Sequence, residues 1–193
     1  PLTLAIALNN NVVTPNSWFN TGYYQFPIGK HRFISDDDYF KSQTASDIIV
    51  HSSNIGISQI SWRLTGKEFR DGLIAFGLSK PSGIDLSLDS PGRIKSPRLL
   101  NNKMYRANSS YGYGITVSFA QLFKAYSAFN NDGVAVTPRI VDYLSDKKGN
   151  HYTLEPKVPD LQAISKKAAN QIHKILIRVV QDKKGTGRAA RYK

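Results

Sequence analysis

The sequence contains no cysteine, which excludes disulfide bonds and thiolate metal sites within it. It has no apolar run approaching the roughly 18 residues that are needed to cross a bilayer. Its start also lacks the basic and then apolar pattern of a signal peptide. We therefore expect any membrane anchor to lie outside this sequence. Its 193 residues, 40% of them hydrophobic, are enough for one domain with a substantial core.

Acidic residues are fewer than basic ones: the sequence has 14 Asp and Glu and 26 Lys and Arg, which gives a formal net charge of +12. A basic protein attracts nucleic acid, but these basic residues are scattered, and no zinc-finger spacing or RNA-recognition aromatic motif accompanies them. The four histidines, at positions 31, 51, 151 and 173, lack metal-site spacing. We expect no metal and no nucleic acid. A solvated basic surface is favoured, and attraction to anionic cell-wall polymers or lipid headgroups is the alternative.

The pattern of apolar residues predicts a domain that is mostly helical with few strands. Helices are predicted at residues 1–11, 44–50, 55–64, 67–76, 117–129 and 165–182, most clearly in the last, where apolar residues recur at helical spacing. Short strands are predicted near residues 23–26 and 31–34, and a longer one at 134–143. Residues 77–108, rich in Gly, Pro, Ser and Asn, are predicted to form a long loop. The predicted buried stripe of the helix at 117–129 consists of Val117, Leu122, Ala125, Tyr126 and Phe129.

One polar segment, His51-Ser52-Ser53-Asn54-Ile55-Gly56, lies between two of these helices. A hydroxyl and a carboxamide two positions apart at a helix start can both point into one cleft. There the hydroxyl can relay a proton, and the amide can donate and accept hydrogen bonds. The same residues also make a good helix N-cap. Taken alone, these six residues favour the capping role.

The rest of the sequence changes this weighting, because further segments form a recognisable series along the chain. They are Phe76-Gly77-Leu78, Ser82-Gly83-Ile84-Asp85-Leu86, Tyr111-Gly112-Tyr113-Gly114-Ile115-Thr116-Val117-Ser118, Gln121-Leu122, Ala125-Tyr126, Asn131-Asp132-Gly133, Thr137-Pro138-Arg139-Ile140 and Gly185-Thr186-Gly187-Arg188-Ala189-Ala190. Together with Ser52-Ser53-Asn54-Ile55-Gly56, they resemble the transpeptidase domain of class B penicillin-binding proteins over nearly the whole chain. The division-type (septal) subgroup is more similar than the elongation-type subgroup.

The resemblance implies an α+β fold, the α/β/α sandwich of the penicilloyl-serine transferases and β-lactamases, of which this sequence supplies a mostly helical part. In that family three motifs surround one cleft: Ser-x-x-Lys, Ser-x-Asn and Lys-Thr-Gly. Only the second is present, as Ser52-Ser53-Asn54. The family's first motif is commonly followed by Pro. We therefore expect residues 1–193 to be the central part of one transpeptidase domain, truncated at both ends, with the nucleophile just ahead of Pro1.

The activity implied by the resemblance is peptidoglycan crosslinking by D,D-transpeptidation through an acyl-serine intermediate, together with penicillin binding. No metal or organic cofactor is implied, and the chain without its nucleophile motif is expected to be inactive alone. Ser52 and Asn54 are the predicted catalytic residues. The predicted substrate-binding residues are Ser53, Tyr111, Gly112, Tyr113 and Gly114. For Tyr111 and Tyr113, a role as core aromatics beside a tight glycine turn fits the sequence equally well.

Two partial motif matches are rejected. Ser145-Asp146-Lys147-Lys148 fits Ser-x-x-Lys by letter, but it falls in a predicted polar turn, whereas an acylating serine needs a helix start inside a cleft, next to a base. Lys184-Gly185-Thr186-Gly187 is neither Lys-Thr-Gly nor a phosphate-binding loop. His51 is adjacent to the polar segment, but a packed or exposed residue at a helix end is favoured over a catalytic histidine.

Two rival functions share the cleft that the resemblance implies. A serine β-lactamase usually carries Ser-Asp-Asn where this sequence has Ser-Ser-Asn, and a penicillin-sensing receptor domain would bind without turnover. The resemblance also implies an extracytoplasmic protein at the periplasmic face, anchored in the inner membrane by a single N-terminal helix. Its implied partners are peptidoglycan stem peptides, β-lactams, and division or cell-wall synthesis proteins.

Overall fold

The computed structural model describes residues 1–192, which form an α+β structure with more helix than strand. The helices are α1 (Leu2–Asn9), α2 (Ala45–Val50), α3 (Asn54–Ser61), α4 (Gly66–Ala75), α5 (Pro97–Leu100), α6 (Lys103–Ser110), α7 (Phe119–Ser127) and α8 (Lys166–Gln181), followed by a 3₁₀ turn at Arg188–Ala190. The predicted fold class is confirmed. The helices predicted at 1–11, 44–50, 55–64, 67–76, 117–129 and 165–182 correspond to α1 to α4, α7 and α8 within a few residues.

The strands are short and form four separate antiparallel pairs. They are β1 (Trp18–Asn20), β2 (Phe26–Gly29), β3 (Arg32–Ile34), β4 (Ser42–Thr44), β5 (Val134–Ala135), β6 (Leu144–Ser145), β7 (His151–Tyr152) and β8 (Leu161–Gln162). The pairs are β1 with β4, β2 with β3, β5 with β8 and β6 with β7. The hairpin β2–β3 replaces the two strands predicted near 23–26 and 31–34, and it contains an irregularity in register between Pro27 and Gly29.

Helix α1 lies at the centre of the hydrophobic core. Its residues from Thr3 to Leu8 are all buried, and it packs against α3, α4 and α8. A helix that is apolar on every side is stable in water only when other elements surround it. The one buried hydroxyl in this helix, on Thr3, donates a 2.8 Å hydrogen bond to the carbonyl of Ser110 at the end of α6. None of the helices in residues 1–192 has the length and apolar character that a membrane span requires.

Side-chain caps explain where most of these helices begin. Thr44, Ser53, Thr65, Ser118 and Ser165 each accept a hydrogen bond from a backbone amide in the first turn of the following helix. These bonds satisfy amides that have no partner within the helix itself. The helices α4 and α7 carry complete capping boxes, in which the residue at the third helical position bonds back to the cap.

Two polar side chains of α7 are buried and hold the adjacent loops. The Gln121 side-chain amide donates to the carbonyls of Lys80 at 2.6 Å and Pro91 at 2.7 Å. The Lys124 ammonium donates to the carbonyl of Ser82 at 3.1 Å and to the hydroxyl of Thr137 at 2.8 Å. Burial lowers the pKa of Lys124 from its usual value, because a charged amine is disfavoured away from water. Residues 77–92 are therefore fixed through side chains rather than through a sheet.

This arrangement corrects the predicted stripe of α7. Ala125 and Phe129 are buried as predicted, but Leu122 and Tyr126 remain 40% and 39% exposed and line a cavity. Val117 is only partly buried. The helix has one apolar side and one buried polar side, and apolar periodicity alone cannot identify the polar side.

Two other predictions are wrong. Residues 77–108 are not one long loop, because they contain α5 and most of α6, which begin after the caps Ser96 and Asn102. The strand predicted at residues 134–143 is limited to Val134–Ala135. Beyond it, the amides of Ile140 and Val141 donate to the carboxylate of Asp85. A side chain therefore satisfies the backbone amides there, so no neighbouring strand is needed.

Candidate active site

A cavity of about 440 Å³ lies where the start of α1, the junction of α2 and α3, and the end of α6 meet. Most of its wall is apolar and comes from α2, α3, α4 and the residues just after it, α7, α8 and the segment after the Tyr-Gly-Tyr-Gly turn. These wall residues are Ile48, Ile49, Ile57, Leu73, Leu78, Ile115, Val117, Leu122, Tyr126, Leu176 and Val179. One corner is polar and contains Ser52, Ser53, Asn54, Ser109 and Ser110. The cavity therefore combines an apolar wall with a few convergent polar groups, which is typical of small-molecule sites.

Ser52 occupies a strained position at this corner. Helix α2 ends at Val50 and α3 begins at Asn54, so only three residues connect the two helices. Ser52 adopts a left-handed conformation with φ of 59°, which is uncommon for residues other than glycine. Its side chain is exposed and lines the cavity. The turn thus places the Ser52 hydroxyl at the surface of the cleft instead of in a helix.

Ser53 has a structural role in the same junction. Its side chain is only 3% exposed and accepts a 2.9 Å hydrogen bond from the Gly56 amide as the N-cap of α3. The hydroxyl then donates to the carboxylate of Asp36, whose other oxygen accepts the Ile55 amide at 2.9 Å. Asp36 lies just beyond β3, so its carboxylate ties the β2–β3 hairpin to the start of α3. A direct role for Ser53 in substrate binding stays a prediction.

Asn54 is the first residue of α3, half-buried, and it lines the cavity beside Ser52. Its side-chain amide donates a 3.3 Å hydrogen bond to the carbonyl of Ser35. The Asn54 carbonyl accepts a 2.7 Å hydrogen bond from the Ser58 hydroxyl. Two contacts therefore restrict this residue while its carboxamide oxygen can still accept a hydrogen bond from a ligand.

The Tyr-Gly-Tyr-Gly turn follows directly after α6. Gly112 and Gly114 have φ values of 103° and 72°, a region that glycine enters without steric cost. The Tyr111 hydroxyl donates a 2.8 Å hydrogen bond to the side-chain oxygen of Asn108. Burial, and to a smaller extent the nearby Tyr113, raises the pKa of Tyr111 above its usual value, so the hydroxyl stays protonated and able to donate.

The structure brings together most of the predicted site residues. Ser52, Ser53, Asn54, Tyr111 and Gly112 line the same cavity. Tyr113 and Gly114 do not line it: Tyr113 is 73% exposed and faces a neighbouring concavity. The Gly114 carbonyl accepts a hydrogen bond from the Lys95 ammonium at 3.1 Å. A direct role for Tyr113 and Gly114 in substrate binding stays a prediction.

Sequence reasoning missed Asp36 and Thr186. Asp36 is the first of three consecutive aspartates, and the sequence gives no signal that separates it from the other two. Thr186 lies in the rejected Lys184-Gly185-Thr186-Gly187 segment, yet it lines the cavity, and its amide donates to the Val50 carbonyl at 3.2 Å. Its loop thereby closes the cavity next to the end of α2.

Neither His51 nor Ser145, the two residues rejected as catalytic from the sequence, lines the cavity. His51 is the C-cap residue after α2 and stacks on Phe40, with ring centroids 4.3 Å apart and an interplanar angle of 7°. Ser145 lies in the exposed β6–β7 hairpin, away from any helix start. Within residues 1–192, no three His, Cys, Asp or Glu side chains converge as metal ligands would.

The polar corner can position and transfer a proton but cannot by itself activate a nucleophile. Among the described residues that line the cavity, none is a lysine, histidine, aspartate or glutamate. A serine hydroxyl needs such a base before it can attack a carbonyl. The Ser52 hydroxyl and the Asn54 carboxamide can each donate and accept hydrogen bonds, and both residues line the cavity. Pro1, Leu2 and Thr3 form the wall beside them.

Comparisons with known proteins agree with this geometry. The family model described as "Penicillin binding protein transpeptidase domain" matches residues 1–193. The chain is 30% identical over 138 residues to penicillin-binding protein PbpB of Mycobacterium tuberculosis. This match covers 72% of this chain and 20% of that protein. It is 28% identical over 189 residues to the probable peptidoglycan D,D-transpeptidase PbpC of Pseudomonas aeruginosa, covering 98% of this chain and 31% of that protein. The chain thus spans less than a third of either relative.

Solved structures show the same fold. The D,D-transpeptidase domain of a peptidoglycan glycosyltransferase from Eggerthella lenta superimposes with a TM-score of 0.88 at 25% identity, covering 99% of this chain and 49% of that chain. The transpeptidase domain of penicillin-binding protein 3 from Burkholderia pseudomallei gives a TM-score of 0.83 at 27% identity, with coverages of 99% and 54%. The chain therefore belongs to the penicillin-binding protein transpeptidase domain family.

Proposed function

We propose that the protein containing this chain is a serine-type peptidoglycan D,D-transpeptidase that crosslinks stem peptides and is acylated by penicillins. The observation that carries the proposal is the meeting of Ser52, Asn54 and the start of α1 in one cavity. The family's Ser-x-x-Lys motif is expected immediately ahead of Pro1. A serine and a lysine at that position would lie at the same polar corner, where the described residues supply no base.

The proposed reaction has two acyl-transfer steps. The expected serine attacks the carbonyl of the terminal D-Ala-D-Ala bond, a C–O bond forms, and the C–N bond breaks as D-Ala leaves. An amine of a second stem peptide then attacks the ester, forms the new amide and returns the proton to the serine. Dividing one amide exchange into two steps lowers each barrier. Ser52 passes the serine proton towards the leaving nitrogen, and Asn54 holds the donor amide in place.

The finer assignments extend the proposal. Relatives named peptidoglycan D,D-transpeptidase FtsI, from Buchnera aphidicola and Escherichia coli, are 29% and 28% identical over 134 residues, which supports the septal subgroup. Penicillin-binding protein 3 of Mycobacterium tuberculosis has been solved with aztreonam and with ampicillin, which supports β-lactams as ligands. We place the protein outside the cytoplasm, at the periplasmic face, with an N-terminal anchor in the inner membrane and division proteins as partners.

The test is acylation of the full-length gene product by a fluorescent penicillin. We expect covalent labelling at a serine ahead of Pro1, and none within residues 1–193 when that segment is expressed alone. Asn54→Ala should slow acylation by about 10- to 100-fold, the loss of one or two hydrogen bonds to the bound amide. Ser52→Ala should slow it by about 100-fold through loss of the proton relay.

Two results would favour a rival function, and two others would contradict assignments within the proposal. Rapid release of hydrolysed penicillin by the full-length protein would indicate a β-lactamase, and stable binding without any transpeptidation of stem peptides would indicate a receptor. Labelling of a residue inside 1–193 would contradict the placement of the nucleophile. Wild-type rates in both Ser52→Ala and Asn54→Ala would contradict the roles assigned to these side chains.

A further inference from the structure

A second concavity of about 340 Å³ lies beside the candidate active site, between the β2–β3 hairpin and the Tyr-Gly-Tyr-Gly turn. Its lining residues are Ile28, Arg32, Phe33, Asn108, Tyr111 and Tyr113. Tyr111 lines both concavities, so the two adjoin at this residue. A ligand whose reactive end occupies the candidate active site can therefore extend a substituent past Tyr111 into this second space.

The chemistry of the second concavity favours an anionic group on an apolar or peptide stem. Arg32 is the one charged residue that lines it, and no carboxylate in residues 1–192 forms an ion pair with its guanidinium. An arginine fork matches the two oxygens of a carboxylate. The rings of Phe33 and Tyr113 are 54% and 73% exposed and offer faces that a stem could cover.

The side chain of Asn108, in the same space, is oriented by a hydrogen bond. The Asn108 side-chain oxygen accepts the Tyr111 hydroxyl, so the amide nitrogen of Asn108 is left to donate to a carbonyl of the ligand. The wall that carries Arg32 is also held in place. Asp36, two residues beyond β3, bonds to the Ser53 hydroxyl and the Ile55 amide. The hairpin and the Ser-x-Asn segment are thus connected directly by side-chain hydrogen bonds.

We propose that this concavity, with Arg32 as its anion-binding residue, is a subsite for a carboxylate carried on the side chain of the acyl donor. The inference rests on the proposed transpeptidase function, because it requires that the donor's reactive carbonyl lie in the neighbouring cavity. The same subsite distinguishes β-lactams that carry a side-chain carboxylate from those that do not. The excess of basic residues in the chain favours the approach of such anionic ligands.

The experiment compares two penicillins with the full-length gene product. Carbenicillin differs from benzylpenicillin by one added carboxylate on the side chain, so the two probe the subsite with a matched core. We expect Arg32→Ala to lower the second-order acylation rate constant for carbenicillin by about fivefold to tenfold, the effect of losing one partly exposed charge-assisted hydrogen bond. The rate constant for benzylpenicillin should change by less than about twofold. Arg32→Lys should restore part of the carbenicillin rate because it keeps the charge.

Lys30→Ala is the matched control, because Lys30 is an exposed basic residue of the same hairpin that does not line the concavity. It should leave the ratio of the two rate constants unchanged. An equal loss for both penicillins in Arg32→Ala, or no loss for either, would overturn the subsite while leaving the transpeptidase proposal intact. Failure of the wild-type protein to be acylated by either penicillin would refute both.

Discussion

The carboxylate of Asp36 provides a strong test of how the candidate site is held together. Asp36→Ala removes the acceptor for both the Ser53 hydroxyl and the Ile55 amide. Hydrogen bonds to a charged group contribute about 1.5–3 kcal/mol each. Asp36 is half-buried, so water can replace part of this contribution, and Ser53 keeps its bond from Gly56. We expect the first turn of α3 to open more easily by about 2 kcal/mol in total.

Amide hydrogen exchange measures this opening locally. A change of about 2 kcal/mol corresponds to roughly 30-fold faster exchange, and it should appear at the amides of Ile55, Gly56 and Ile57. The core helix α1, which does not touch Asp36 through any side-chain hydrogen bond found in residues 1–192, should keep its protection. Asp36→Asn should show an intermediate effect, because its amide oxygen can still accept from Ile55 but its charge is gone.

Asp38→Ala serves as the matched control for this experiment, since Asp38 is an exposed carboxylate two positions along the same loop. It should leave exchange in α3 unchanged. Equal protection of Ile55, Gly56 and Ile57 in Asp36→Ala and the wild type would refute the inferred tether. Equal acceleration in both the Asp36 and the Asp38 variants would instead show that net charge, and not the two hydrogen bonds, controls this segment.

Two further predictions concern the buried polar side of α7. Gln121→Leu should lower the free energy of unfolding by about 2–4 kcal/mol, because the carbonyls of Lys80 and Pro91 lose their donor. Urea denaturation measures this free energy. A change below about 0.5 kcal/mol would contradict the inference that Gln121 holds the adjacent loop. For Lys124, the folded-state pKa is lowered by burial, so the unfolded state binds the proton more strongly between the lowered pKa and about 10.5. The free energy of unfolding should therefore rise with pH through that window. Subtracting the pH profile of Lys124→Met from that of the wild type should isolate the contribution of Lys124. Equal slopes of the two profiles would contradict this prediction.

Much of the helical framework could be predicted from the sequence, because its cause is local. Helix α8 follows from apolar residues at helical spacing, and it has the buried face that this spacing predicts. Helix α1 follows from a continuous apolar stretch and is buried on every side. The caps of α2, α3 and α7 are Ser and Thr residues immediately ahead of their helices, a signal visible in the sequence. For the helices that were predicted, the observed limits differ from the predicted ones by only a few residues.

The errors occur where distant side chains satisfy the backbone. The strand predicted at 134–143 stops early because Asp85, more than 50 residues away in sequence, accepts the amides of Ile140 and Val141. Helix α6 was missed because Lys103–Ser110 has no apolar stripe, yet Arg106 and Ala107 are buried. Asp36 was missed because its hydrogen-bond partners are distant in sequence. Its partners lie 17 and 19 residues further along the chain, and a run of three aspartates carries no local sign of them.

In the Ser-Ser-Asn segment, helix capping by Ser53 is compatible with the catalytic roles proposed for Ser52 and Asn54. Ser53 caps α3 and is buried against Asp36, and this fixed residue determines where its two neighbours point. The turn then forces Ser52 into a left-handed conformation and starts α3 at Asn54, so both side chains reach the cavity. The strain at Ser52 costs about 1 kcal/mol, which the cap and the Asp36 bonds offset. Capping by the middle residue is thus the physical cause that places the hydroxyl and the carboxamide on the same side of the cleft.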